Sequence, residues 1–156
     1  MKKYISILLS AIAIPLAVGA LAALLSRGSM EIFASLEKPP LAPPGWLFPV
    51  AWTILYIAMG IASYFVATSG GSRELIRNAL TVYGLQLLVN FCWPLLFFVF
   101  RLYRFSFAWL VLLWILILIT IIRFHRLSKP AAYLLIPYLV WVTYAGYLNL
   151  GVAILN

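Results

Sequence analysis

The sequence predicts an all-α membrane protein, a bundle of five transmembrane helices with a long Pro-rich loop between the first and the second. Three observations carry that prediction. Of the 156 residues, 66% are apolar and 9% charged, whereas a soluble domain charges about a quarter of its residues. Mean hydropathy is +1.10, an excess of apolar surface that must face lipid rather than a core. The apolar residues also gather into five runs, each close to the roughly 20 residues a helix needs to cross the hydrocarbon layer.

The five spans form a single domain over residues 1–156. They run from about Tyr4 to Leu25, Trp46 to Ala67, Ala79 to Phe100, Phe105 to Arg123, and Ala132 to Leu155. Lys2 and Lys3 ahead of the first run also fit a signal peptide, as does the Ala-rich "VGALAA". The run is longer than the ~7–15 apolar residues of a signal peptide, and Pro15 and Gly19 suit a packed membrane helix; it is read as a span. The first connection is the long one, and in it "LEKPPLAPPGWLFPVAW" (Leu36–Trp52) holds five prolines. Proline fixes φ and removes a donor, so this stretch is not an ordinary helix. It is stiffer than a Gly/Ser connector, as a preformed cover would be; the blander reading is that the prolines end a short amphipathic helix around Glu31 to Leu36.

Orientation follows from counting basic residues on the two sides of the bundle. One side carries Lys2, Lys3, Arg73, Arg77, Arg123, Arg126 and Lys129; the other carries Arg27, Lys38, Arg101 and Arg104. The excess places the N-terminus in the cytoplasm and the long loop outside. The tandem lysines suggest a bacterial cytoplasmic membrane.

Composition also excludes. The net charge of +8 comes from basic residues scattered singly or in pairs, which suit anionic headgroups and not a nucleic-acid-binding face. A lone Cys92 allows no internal disulfide and no cysteine zinc cluster. The acidic residues Glu31, Glu37 and Glu74 all lie in connections, so no proton relay crosses the bundle. His125 sits at a helix end between Arg123 and Arg126 and reads as interfacial, not as a haem ligand. No Ser/His/Asp set, metal cluster or phosphate loop is present, which argues against a conventional hydrolase or metalloenzyme.

Aromatics and amides carry the signal instead. Gln86, Asn90 and Trp93 share one face of the third span. They read as interhelical glue, as ligand contacts, or as both. Trp52 and Tyr56 are one turn apart in the second span. Pro137, Trp141, Ala145 and Asn149 recur at i+4 in the fifth, with Tyr138 and Tyr144 alongside. Trp52 and Trp141 lie inside their helices, while Trp46, Trp109 and Trp114 read as belt or lipid-facing residues. Ala11, Pro15, Gly19 and Ala23 form a small-residue stripe, and Ala58, Gly60 and Ala62 a second. Such faces serve close helix packing or dimerisation.

Taken together, these residues resemble the translocator protein family, also called tryptophan-rich sensory protein or peripheral-type benzodiazepine receptor, and point to a bacterial member. The likeness rests on Pro15 and Gly19, on "LEKPxxxPPGW…W…LY" (Leu36–Tyr56), on "Q…N..WP" (Gln86–Pro94) and on "IPYLVW…A…LN" (Ile136–Asn149), in that order along nearly the whole chain. The resemblance implies a homodimeric five-helix bundle with a pocket covered by the first loop. It implies binding of porphyrins such as protoporphyrin IX and haem, and of benzodiazepine-like or isoquinoline compounds. Sterols are bound by animal members, and some bacterial members are associated with light-dependent porphyrin breakdown. By motif, the pocket takes Trp52, Asn90 and Trp93, walled by Trp141 and Ala145 with Gln86 deeper. Phe33, Lys38, Pro44, Tyr56 and Tyr138 complete the expected contacts, Lys38 as the cation for propionates at the mouth. Trp52 and Trp141 become catalytic if the chemistry is photo-oxidative. No cofactor or metal is implied, porphyrin being ligand or substrate. Phe33 stands where a tyrosine is expected, Ala34 replaces an acidic residue, and Leu41 replaces a tryptophan. No Lys or Arg follows Tyr144 or Tyr147, so the animal cholesterol motif is missing. The alternatives are a carrier of sterol- or lipid-like apolar ligands and a bundle that only assembles partners.

Overall fold

The computed structural model describes residues 1–156, apart from the side chain of Ser29. Helix α1 (Lys2–Leu25) is followed by the short α2 (Ser29–Ser35) and the proline segment, then by α3 (Leu47–Ala67). Helix α4 (Arg73–Pro94) runs into a π-helical turn (Leu95–Val99). Helix α5 (Tyr103–Leu127) precedes the short α6 (Lys129–Leu134), which leads into α7 (Ile136–Leu155). Among the described residues, five stretches are long and apolar enough to cross a membrane: Lys2–Leu25, Leu47–Ala67, Arg73–Val99, Tyr103–Leu127 and Lys129–Leu155. The chain is an all-α integral membrane protein.

The helices pass the ends of the apolar runs because hydropathy marks the lipid-embedded part, while capping marks the helix end. Helix α4 starts at Arg73 rather than Ala79, where the Ser72 hydroxyl accepts from the Leu75 N–H (3.2 Å) and Glu74 complements the helix dipole. Helix α5 continues beyond Arg123 to Leu127, and Ser128 then caps α6 through the Ala131 N–H (3.4 Å). Pro94 ends regular α-geometry. The following turn bonds Phe100 N to Leu95 O (2.9 Å), the wider repeat of a π-bulge.

Helix α5 is central, packing on α4, α6 and α7, while α1 lies at the periphery against α3 and, less extensively, α4. In α1 only Pro15 and Ala22 are buried. Two glycines set how closely it approaches. A Cβ on Gly60 would stand 2.5 Å from Ile12 Cα and 2.7 Å from Ala11 O, and one on Gly19 would overlap the Tyr56 ring. Pro15 has no N–H for the Ala11 carbonyl, leaving that oxygen free at the contact. The small-residue stripe thus packs within the chain.

Two tryptophans lie differently from their sequence reading. Trp109 and Trp114 are half-buried, donating to Val89 O (2.8 Å) and to Thr143 Oγ1 (2.9 Å). They join α5 to α4 and α7, because an indole N–H in hydrocarbon needs an acceptor. Trp46 is exposed.

Candidate functional site

A cavity of about 560 Å³ opens between α1, α3 and α4, within the size range of small-molecule sites. Helix α3 contributes Phe48, Trp52 and Tyr56; α4 contributes Asn90 and Trp93; the π turn adds Phe98. The facing wall is α1, through Leu16, Gly19, Ala20 and Ala23, with Met30 from α2 at one edge. The stripe that lets α1 approach α3 also leaves the space, since glycine and alanine fill little of it.

Behind the cavity runs a buried chain of polar side chains. Tyr56 Oη donates to Asn90 Oδ1 (2.8 Å), Asn90 Nδ2 donates to Tyr138 Oη (2.6 Å), and Tyr138 Oη donates to Gln86 Oε1 (2.7 Å). Trp93 Nε1 donates to Asn149 Oδ1 (3.0 Å), and Asn149 Nδ2 to Tyr103 O (2.8 Å). The amides therefore act as glue between α3, α4 and α7. Asn90 and Trp93 also face the cavity, so for them the two readings coincide.

Of the expected contacts, Trp52, Tyr56, Asn90 and Trp93 line the cavity together. Trp141 stands behind them, edge-on to Trp52 (6.4 Å) and Phe48 (5.9 Å), its indole N–H buried without a hydrogen-bond partner. Tyr138 and Gln86 belong to the polar chain, and Ala145 is buried in the core. Helix α7 is thus a second layer, and α1 holds the place the resemblance implied for it. Phe33 packs on Phe48 (4.9 Å). Pro44 accepts from Leu47 N (3.1 Å) at the entry to α3.

Lys38 is not among the residues that line the cavity. Its ammonium donates to the carbonyls of Phe33 (2.9 Å), Ala34 (3.4 Å) and Leu36 (3.0 Å) and sits 4.9 Å from the Phe33 ring. These carbonyls belong to the last turn of α2 and to its C-cap Leu36, the negative end of the helix, which attracts a nearby cation. Sequence reasoning missed the α1 wall, Met30, Phe48 and Phe98; the small-residue stripe was the available signal.

The proline segment is fastened to α7. Tyr147 Oη donates to Pro40 O (2.6 Å), Tyr144 Oη donates to Leu41 O, and the Asn156 amide bonds both Glu37 N (3.2 Å) and Glu37 O (2.8 Å). Leu41 adopts a left-handed backbone (φ 68), uncommon for leucine, as its carbonyl meets Tyr144. Pro39 packs so closely on Gly151 that a Cβ there would overlap the proline ring. Replacing both Tyr144 and Tyr147 by phenylalanine is expected to speed amide exchange across 33–48 by about tenfold, the effect of losing two modest hydrogen bonds. Unchanged exchange would show that the prolines hold the loop unaided.

Residues 11–155 match the model of the TspO/MBR family. The chain is 39% identical over its full length to the tryptophan-rich protein TspO of Chlorobaculum tepidum, covering 99% of that protein. It is 40% identical to the translocator protein of Bos taurus over 84% of this chain and 79% of the relative. With the tryptophan-rich sensory protein of Cereibacter sphaeroides it shares 36% over 81% of this chain and 77% of the relative. An all-α bundle of five apolar helices, matched along almost its whole length, places this chain in the TspO/MBR family.

Proposed function

We propose that this protein is a membrane receptor or sensor that binds porphyrins, and synthetic benzodiazepine-like ligands, in the cavity under the first loop. The carrying observation is that Trp52, Trp93, Tyr56 and the Asn90 amide converge on one apolar cavity. Flat π-systems stack on indole faces, and a single amide orients them. The relatives' names, sensory protein and translocator protein, agree with a role in sensing or moving a small molecule. The proline segment acts as a preformed cover, so little ordering entropy is lost on binding. The N-terminus and the basic helix ends face the cytoplasm, and the working unit is a homodimer.

A photo-oxidative reading has its own support. Trp52, Trp141 and Tyr144 stand in edge contact at 6.4 and 5.8 Å, an aromatic path along which a light-excited porphyrin would draw electrons.

Titration of the purified protein with protoporphyrin IX in the dark, followed by tryptophan quenching, tests the proposal. Trp52→Leu is expected to weaken binding about tenfold or more and Trp141→Leu about threefold, since only Trp52 lines the cavity. Binding unaffected by Trp52→Leu would sink the porphyrin reading and favour a lipid- or sterol-like carrier. Under illumination, bleaching faster than free porphyrin would support the photo-oxidative activity.

A further inference from the structure

At the opposite end of the bundle a second depression, about 320 Å³, lies between the first turns of α4 and the last turns of α5. We propose that it binds one anionic phospholipid, headgroup phosphate at the rim and acyl chain along the floor. Arg123 and Arg126 of α5 and Asn78 of α4 are its polar lining; Leu75 and Leu127 are apolar and near the end of the bundle, and Ile122 and Ile119 continue the apolar lining inward. Arg123 and Arg126 are three residues apart on α5 and so share one helix face. Two guanidinium forks and an amide donor are a strong donor set for a phosphate.

The layout fits a lipid rather than a free ion. Arg126 lies one residue from the end of α5, at headgroup level, and Ile119 lies about 10 Å deeper along the helix axis, within acyl-chain depth. A free phosphate would leave that apolar floor unfilled. Charge selects the headgroup. The same end carries Arg73, Arg77, Lys129, Lys2 and Lys3, with Glu74 as its one carboxylate, and the N-terminus of α4 adds the positive end of a helix dipole. Basic pockets between membrane helices recognise anionic lipids in this way.

Arg73 and Arg77 supply an internal control. They line a separate, more open depression with Gly71, Ile76, Leu80 and Thr81, so their removal changes the charge of this end equally without touching the groove.

The test is native mass spectrometry of delipidated protein in micelles, titrated with dioleoylphosphatidylglycerol or dioleoylphosphatidylcholine. The expected result is one phosphatidylglycerol adduct preferred over phosphatidylcholine by about tenfold. Arg123→Gln/Arg126→Gln should abolish that preference, while Arg73→Gln/Arg77→Gln should keep it within about twofold, both having unchanged melting temperatures in lipid-free micelles. Ile119→Trp, which fills the floor and leaves every charge, should also weaken phosphatidylglycerol binding. Equal losses in the two arginine pairs, no effect of Ile119→Trp, or displacement of the lipid by an equal concentration of inorganic phosphate would each overturn the proposal.

Discussion

Replacing Gly60 by alanine is expected to destabilise the bundle by about 2–3 kcal/mol, the upper range for overpacking a well-filled contact, and to weaken ligand binding. The reason is the identity of the atoms in the way. The new methyl would lie 2.5 Å from Ile12 Cα, 2.7 Å from Ala11 O and 2.9 Å from Ile12 N. All are backbone atoms, so no rotamer change relieves the clash, and α1 must move away from α3. Since α1 packs chiefly on α3 and only lightly on α4, and its outer face is as apolar as the lipid around it, little resists that movement. The cavity changes with it, because Leu16, Gly19, Ala20 and Ala23 are its wall.

Gly19→Ala makes the informative comparison. There the obstructing atoms belong to the Tyr56 ring, a side chain able to yield by straining its 2.8 Å hydrogen bond to Asn90. Its cost in stability should be smaller, about 1 kcal/mol, and its effect on ligand binding comparable. Thermal unfolding in detergent, with and without protoporphyrin IX, reads both quantities. A Gly60→Ala protein as stable as the parent would show that α1 is not held by this contact.

Asn90→Leu is expected to cost about 2–3 kcal/mol, for a different reason. Side-chain hydrogen bonds between membrane helices are worth only about 0.6 kcal/mol on average, so lost attraction does not account for that figure. The larger part is what the substitution strands. Tyr56 Oη loses its acceptor, and Tyr138 Oη loses the donor that fixes it against Gln86. Each unsatisfied buried polar group costs about 1–3 kcal/mol. The second substitution Tyr56→Phe, which removes the stranded hydroxyl, should therefore recover part of the loss. A double-mutant cycle measures this coupling directly; strict additivity of the two changes would contradict the account.

Class, span number and the long first connection were legible in the sequence because each depends on a local quantity. Lipid accepts only helices or closed barrels, and runs of about 20 apolar residues count the spans. Helix ends were less legible. Ser72 and Ser128 carry the capping signals, yet they lie outside the apolar runs that mark the spans. The site divided along the same line. Gln86, Asn90 and Trp93 share a face through the 3.6-residue repeat, and two of them line the cavity. Tyr138 and Gln86 were expected at a ligand; within the bundle Tyr138 Oη donates to Gln86 Oε1 while Gln86 Nε2 is buried without a partner, a pairing that depends on the rotation of α7 about its axis. Lys38 looked free because its three carbonyl partners are backbone atoms, which sequence does not distinguish. What the sequence by itself determined is which surfaces must meet lipid and which helical faces carry aromatics, amides or small residues, since composition and period are properties of single segments. Only the tertiary structure decided that α1, not α7, closes the cavity. That choice rests on Gly60 meeting the α1 backbone and Gly19 meeting the Tyr56 ring, contacts between segments that no single segment encodes.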